Sequence, residues 1–161
     1  MRRLWLIGCC VLLMSSLSLA KDKLTSQWIC AAKPLEAHSI DVGDQANHAY
    51  VVSKESCNPA KSDVGGAKEK EGGATQFNET MGDSASWHGV FISTTDSGDK
   101  IYYHYTGKGM VKGGQFQSGT DKWTMVGGTG KFASAKGDGT CEGKGNADGS
   151  VTWDCTGMFT K

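Results

Sequence analysis

Apolar and polar side chains alternate along most of this chain, and no segment repeats apolar residues at helical spacing. A period of two marks a strand with one face in a core. In Lys100–Gly107, Ile101, Tyr103 and Tyr105 fall on one face, and Tyr102 and His104 on the other. In Ser86–Thr95, Trp87, Gly89 and Phe91 alternate with His88, Val90 and Ile92. Gln115–Val126 sets Trp123 and Met125 against Lys122 and Thr124. Near the C-terminus, Val151, Trp153, Cys155 and Phe159 share an apolar face. Gln27–Ile40, irregular at Pro34, Asn47–Ser56 and Thr75–Met81 read as further strands. With the run before Asn146, these make about eight strands joined by short turns. The pattern favours an all-β chain, a single antiparallel barrel or a sandwich.

The turns set the register. Asn146-Ala147-Asp148-Gly149 suits a hairpin loop, because Asn, Asp and Gly tolerate positive φ. A hairpin centred on Asp148 places Cys141 opposite Cys155, Gly143 opposite Trp153 and Gly145 opposite Val151. It also opposes Glu142 to Asp154, which reads as a shared-proton pair or as two solvated carboxylates near Lys144. A loop at Gly43-Asp44, within the turn Val42–Gln45, places Cys30 opposite Cys57. Four cysteines allow three pairings, and the two hairpins select Cys30–Cys57 and Cys141–Cys155. The alternative of zinc fails on spacing, since Cys30, His38, His48 and Cys57 lack a zinc-site pattern, so no metal is expected.

Composition adds a compartment. Arg2 and Arg3 precede an apolar run, Leu4–Leu17, and Ser18-Leu19-Ala20 resembles a cleavage site. Residues 1–20 therefore read as a signal peptide, and 21–161 as the barrel domain. The apolar run is too short for a membrane span. Without Arg2 and Arg3, 15 basic residues face 17 acidic ones, a net charge near −2. That balance argues against nucleic acid or an anionic membrane as partner. An exported chain with paired cysteines is expected to be secreted or periplasmic. Residues 58–75, poor in apolar side chains and rich in Gly, Lys and Glu, read as a mobile loop. Asn78-Glu79-Thr80 is a glycosylation sequon.

Val126-Gly127-Gly128-Thr129-Gly130-Lys131-Phe132 lacks the glycine spacing of a phosphate loop. It reads as a corner between strands, with Phe132 plugging the end of the core. Followed by Ala135-x-Gly137, this stretch resembles the motif before the last strands of dirigent proteins and the wider allene oxide cyclase-like barrel group. The resemblance covers about 35 C-terminal residues and points to a bacterial member. It implies an eight-stranded antiparallel barrel with a central cavity. Members include isomerases, cyclases and proteins that guide radical coupling. No residue here matches an active site of those members, and the Cys141/Cys155 pair is no part of the motif.

Gly-x-Ser-x-Gly, HExxH and CxxC are all absent, and the cysteines are assigned to bridges. Hydrolase, metalloprotease and thiol-redox chemistry are therefore weak readings, and no cofactor is expected. Three functions remain. A small barrel could bind an apolar or aromatic small molecule without catalysis, lined by Trp87, Phe91, Tyr103, His104, Tyr105, Trp123 and Trp153. It could serve as a structural or interaction protein of the envelope. It could be an isomerase or cyclase that templates a flexible substrate, with His104, Tyr103 and Glu142 as candidate proton carriers and His88 with His104 as an acid–base pair. For each aromatic the competing reading is ordinary packing, since aromatics enrich strands. An interior cavity with an inward-facing titratable group is the feature that separates these readings.

Overall fold

Nine strands form from the alternating segments: β1 (Asp22–Cys30), β2 (Glu36–Asp41), β3 (Ala49–Val64), β4 (Glu69–Met81), β5 (Ser84–Thr95), β6 (Lys100–Lys112), β7 (Gln115–Gly128), β8 (Lys136–Gly145) and β9 (Val151–Thr160). They come from a computed structural model that describes residues 21–161. The expected signal peptide lies outside the described residues. All pairings are antiparallel, and neighbours in sequence are neighbours in space from β2 to β9. β1 pairs with β9 on one side and with β3 on the other, and this closes β1 and β3–β9 into an eight-stranded barrel. β2 continues the edge beyond β1, pairing with the first half of β3 and extending past the barrel rim.

The C-terminal hairpin has the expected register. Cys141 faces Cys155, Gly143 faces Trp153 and Gly145 faces Val151. Gly143 is close-packed beneath the Trp153 ring, so a Cβ there would collide with it. Both disulfides have the expected partners, Cys30–Cys57 and Cys141–Cys155.

The first hairpin is less regular than the sequence implied. Cys30 faces Cys57, but β2 and β3 pair in a register shifted by three residues from the one a Gly43-Asp44 loop sets. The bend at 31–35, containing Pro34, absorbs the difference, because proline cannot continue the ladder. The connection is correspondingly longer, running from Val42 to His48. His48 pins it: Nδ1 lies 2.6 Å from Asp44 Oδ1, and Nε2 lies 3.2 Å from Glu79 Oε1. The hydrogen bond to Asp44 holds the imidazole pKa above its usual value.

Residues 58–75 are not a loop. β3 runs on to Val64, β4 starts at Glu69, and a tight turn at Gly65-Gly66, both at positive φ, joins them. Low apolar content misled the reading because this part of the barrel is lined by serine and glutamate. Two bulges place them. The β1–β3 register shifts between Gln27 and Trp28, and the β4–β5 register shifts between Glu69 and Glu71. Each bulge inverts which alternate residues point inward, and Ser62 and Glu69 turn into the interior.

One end of the barrel is solid. Phe132, on a single 3-10 turn at Gly130–Phe132, sits with Val64, Ile101, Met125, Ala135 and Phe159, all almost fully buried. Phe132 and Phe159 pack with ring centres 6.2 Å apart. The glycine-rich corner thus carries the plug that its sequence suggested.

The bridges should matter most where they tie the closure. Cys30–Cys57 spans 27 residues and Cys141–Cys155 spans 14. Chain-entropy reasoning assigns the first about 3.6 kcal/mol and the second about 3 kcal/mol. Urea unfolding of the Cys30→Ala/Cys57→Ala and Cys141→Ala/Cys155→Ala pairs measures this. The first pair is expected to be the more destabilised.

Candidate functional site

Above the plug the barrel is hollow. The cavity has a volume of about 620 Å³. It opens at the end formed by the bend 31–35, the β6–β7 turn at Gly114 and the β8–β9 turn at Asp148-Gly149. Leu24 and Glu69 lie at its floor, next to the plug.

Six of the seven aromatic and histidine candidates line this cavity: Trp87, Phe91, Tyr103, Tyr105, Trp123 and Trp153. Trp87 meets Trp153 edge to face at 5.9 Å, Tyr103 meets Trp123 edge to face at 5.6 Å, and Phe91 lies tilted against Tyr103 at 6.2 Å. His104 does not line the cavity. It is exposed on the outer face of β6, because Tyr103 and Tyr105 take the inward positions of that strand. His88 is likewise outside, stacked on Phe77 at 5.5 Å. Glu142 and Asp154 do face each other, but both are exposed, and Asp154 accepts a hydrogen bond from Gln27 Nε2 at 2.7 Å. Of the three proposed proton carriers only Tyr103 is internal.

Sequence reasoning missed Trp28 and Phe116 among the aromatics. Trp28 is buried and meets Phe91 edge-on at 4.8 Å; Phe116 packs on Trp153 at 5.5 Å near the mouth. Trp28 was within reach, since it lies two residues before inward-facing Cys30.

It also missed the polar groups, which carry the chemistry. Asp121 is buried in the wall, and Trp87 Nε1 donates to its Oδ1 at 2.5 Å. Gly107 lies directly beneath that contact, where any Cβ would strike both side chains. Burial pushes the Asp121 carboxyl up to about 7, and the Trp87 hydrogen bond only partly opposes it. Glu55, half-buried in the same cavity, is also raised by burial. Tyr105 donates to Gln76 Oε1 at 2.6 Å; its phenol is raised by burial first, and further by the charges of Asp121 and Glu55. Alternation placed Asp121 with Trp123 and Met125, and Glu55 with Cys57, so both were legible.

Glu69 was not. Its carboxylate collects Ser26 Oγ at 2.7 Å and Ser62 Oγ at 2.9 Å on Oε2, and Ser93 Oγ at 2.7 Å and Tyr103 OH at 3.3 Å on Oε1. Hydroxyl donors from four strands, β1, β3, β5 and β6, meet at this one carboxylate on β4. Burying a carboxyl without a cation requires such donors. Burial and the Glu69 charge hold the Tyr103 phenol well above its usual value.

The sequon asparagine faces the same interior. Asn78 Nδ2 donates to Ser53 Oγ at 3.2 Å and Val51 O at 3.4 Å, and the residue lines the cavity.

No protein-family model matches the chain, and no curated protein matches it by sequence. Solved structures do match its shape. The pterocarpan synthase dirigent protein PsPTS1 is similar at a TM-score of 0.52 and 12% identity, over 88% of this chain and 95% of that one. The pterocarpan synthase dirigent protein GePTS1 is similar at 0.49 and 12%, over 95% and 99%. A pyocyanin demethylase is similar at 0.40 and 15%, over 86% and 99%. The chain therefore has a dirigent-like barrel fold.

Asp121 gives a measurable signature. Its folded pKa lies above the unfolded value of 3.8, so the folded state binds the extra proton between that value and about 7. Stability from this group is therefore full below the lower limit and is lost as pH rises through the upper one. Asp121→Asn keeps an acceptor for Trp87 but removes the titration. Urea midpoints should show the variant gaining on the wild type as pH rises across that window. Parallel curves would mean that Asp121 is an ordinary solvated carboxylate.

Proposed function

We propose that this barrel binds a small apolar or aromatic molecule inside its cavity. The observation that carries the reading is the cavity itself, an aromatic-walled space of about 620 Å³, open at one end and closed by the Phe132 plug at the other. Ligand pockets of this size commonly combine apolar walls with a few directed polar groups. Asp121, Glu55, Gln76 and Tyr105 are such groups here. An interaction protein of the envelope needs no interior space, and the open cavity favours binding over that reading. Export fits the paired cysteines, which persist in oxidising compartments. Among the described residues no helix is long and apolar enough to cross a membrane.

A second reading is supported by Asp121. A carboxyl titrating near 7 beside Trp87 and Tyr105 can give or take a proton at neutral pH. A cavity that folds a flexible substrate against the aromatic walls would then act as a templating isomerase or cyclase. Asp121, rather than His104 or Glu142, is the proton carrier in this reading.

Thermal shift against a library of aromatic fragments tests binding. Ligands present at about 100 times their Kd should add about 2.7 kcal/mol and raise Tm by several degrees. Ala74→Trp fills the wall between Glu55 and Phe91 and should abolish the shift. Shifts that survive that substitution place the ligand elsewhere and contradict the proposal.

A further inference from the structure

The charges around the cavity are one-sided. Three carboxyls line its interior, Glu55, Glu69 and Asp121, and a fourth, Asp148, lies exposed at the mouth, where it accepts hydrogen bonds from Ser150. The one cationic side chain among the lining residues is Lys33, which is exposed in the bend at the mouth. No arginine occurs after Arg3. The inward positions of the strands carry glycine, serine, aromatics and acids, while lysines such as Lys54, Lys108, Lys122 and Lys144 point outward and are exposed.

The three interior acids differ in how they are satisfied. Glu69 is saturated by four hydroxyl donors at the floor. Asp121 has one donor, the Trp87 indole, and no cation. Glu55 makes no ion pair among the described residues. The elements packed around Asp121 bring no compensating positive charge. β5 presents Trp87, β6 presents Tyr105 and Gly107, β8 presents Cys141, and β3 across the cavity presents Glu55. None is basic. A carboxyl held in an apolar wall without a cation favours an incoming positive charge. Trp87, Trp153 and Phe116 sit around the same space, and their ring faces attract cations as well.

We propose that the cavity selects planar aromatic molecules carrying a protonated basic nitrogen, which pairs with Asp121 and Glu55 while the rings lie against Trp87, Phe116 and Trp153. This rests on the binding reading above and names its ligand class. Neutral and anionic aromatics are discriminated against: the first leave the carboxyls uncompensated, and the second add a like charge.

Three tricyclic probes of one shape separate the cases: 9-aminoacridine as the cation, acridone as the neutral ring and acridine-9-carboxylate as the anion. Titration calorimetry near pH 7 should give the cation a Kd at least about ten-fold below that of acridone, with the carboxylate weakest. Binding of the cation should release a proton as Asp121 ionises, seen as a heat that depends on the buffer. The preference should fall in Asp121→Asn and fall further with Glu55→Gln added; both substitutions keep side-chain size and hydrogen-bonding capacity. Acridone binding as tightly as 9-aminoacridine overturns this inference and leaves the binding reading intact. A cation preference that persists in Ala74→Trp overturns it too, because the cation would then sit on the outer surface. Failure of all three probes to bind the wild type counts against both.

Discussion

Everything in this molecule depends on β1 having two hydrogen-bonded neighbours. Along Asp22–Cys30 it pairs with β9 on one edge, and from Leu24 to Cys30 with β3 on the other. Closure removes the edges that an open sheet would present to solvent or to other chains. It also forces every second side chain of eight strands into one cylinder. Cys30–Cys57 lies at the end of that seam, where β1 leaves the barrel and β2 takes over the edge of β3. The bridge therefore fastens the closure at the point where it would open first.

The cylinder is filled unevenly, and the unevenness creates the cavity. At one end phenylalanine, isoleucine, methionine and valine pack to exclude solvent. Toward the other, large indoles are set against glycines: Trp153 over Gly143, and Trp123 against Gly139 and Gly157. Such pairs hold rings flat to the wall instead of letting them fill the axis. Between plug and cavity lies Glu69, whose four hydroxyl partners come from β1, β3, β5 and β6. A buried polar network of this kind is tolerated only when every member is satisfied. It makes the floor of the cavity a fixed polar surface.

Much of this was legible in the sequence. Period-two alternation gave the aromatic walls, and the Asn146–Gly149 turn gave the last hairpin and its bridge residue by residue; the Gly43-Asp44 loop named the right partner for Cys30, but that pair meets across the β1–β3 closure and the β2–β3 hairpin itself is three residues out of that register. The failures have physical causes. Residues 58–75 look unstructured because their inward side chains are serine and glutamate, satisfied by each other across strands that sequence cannot bring together. Bulges near Gln27 and Lys70 break the alternation, so no period count can place Ser62 or Glu69. His104 was misassigned by residue type alone, for its parity with Tyr102 already set it outside. Asp121 shares parity with Trp123 and Met125, so its inward position was legible.

The central claim is that the interior is an open, aromatic-walled space and not a packed core. Diffraction from crystals of the protein pressurised with xenon tests it most directly, since xenon enters apolar cavities that side chains leave empty. The account predicts xenon density against Trp87, Phe116 and Trp153, above the Phe91–Trp28 contact. Indole rings collapsed across the barrel axis, with no xenon inside, would contradict it.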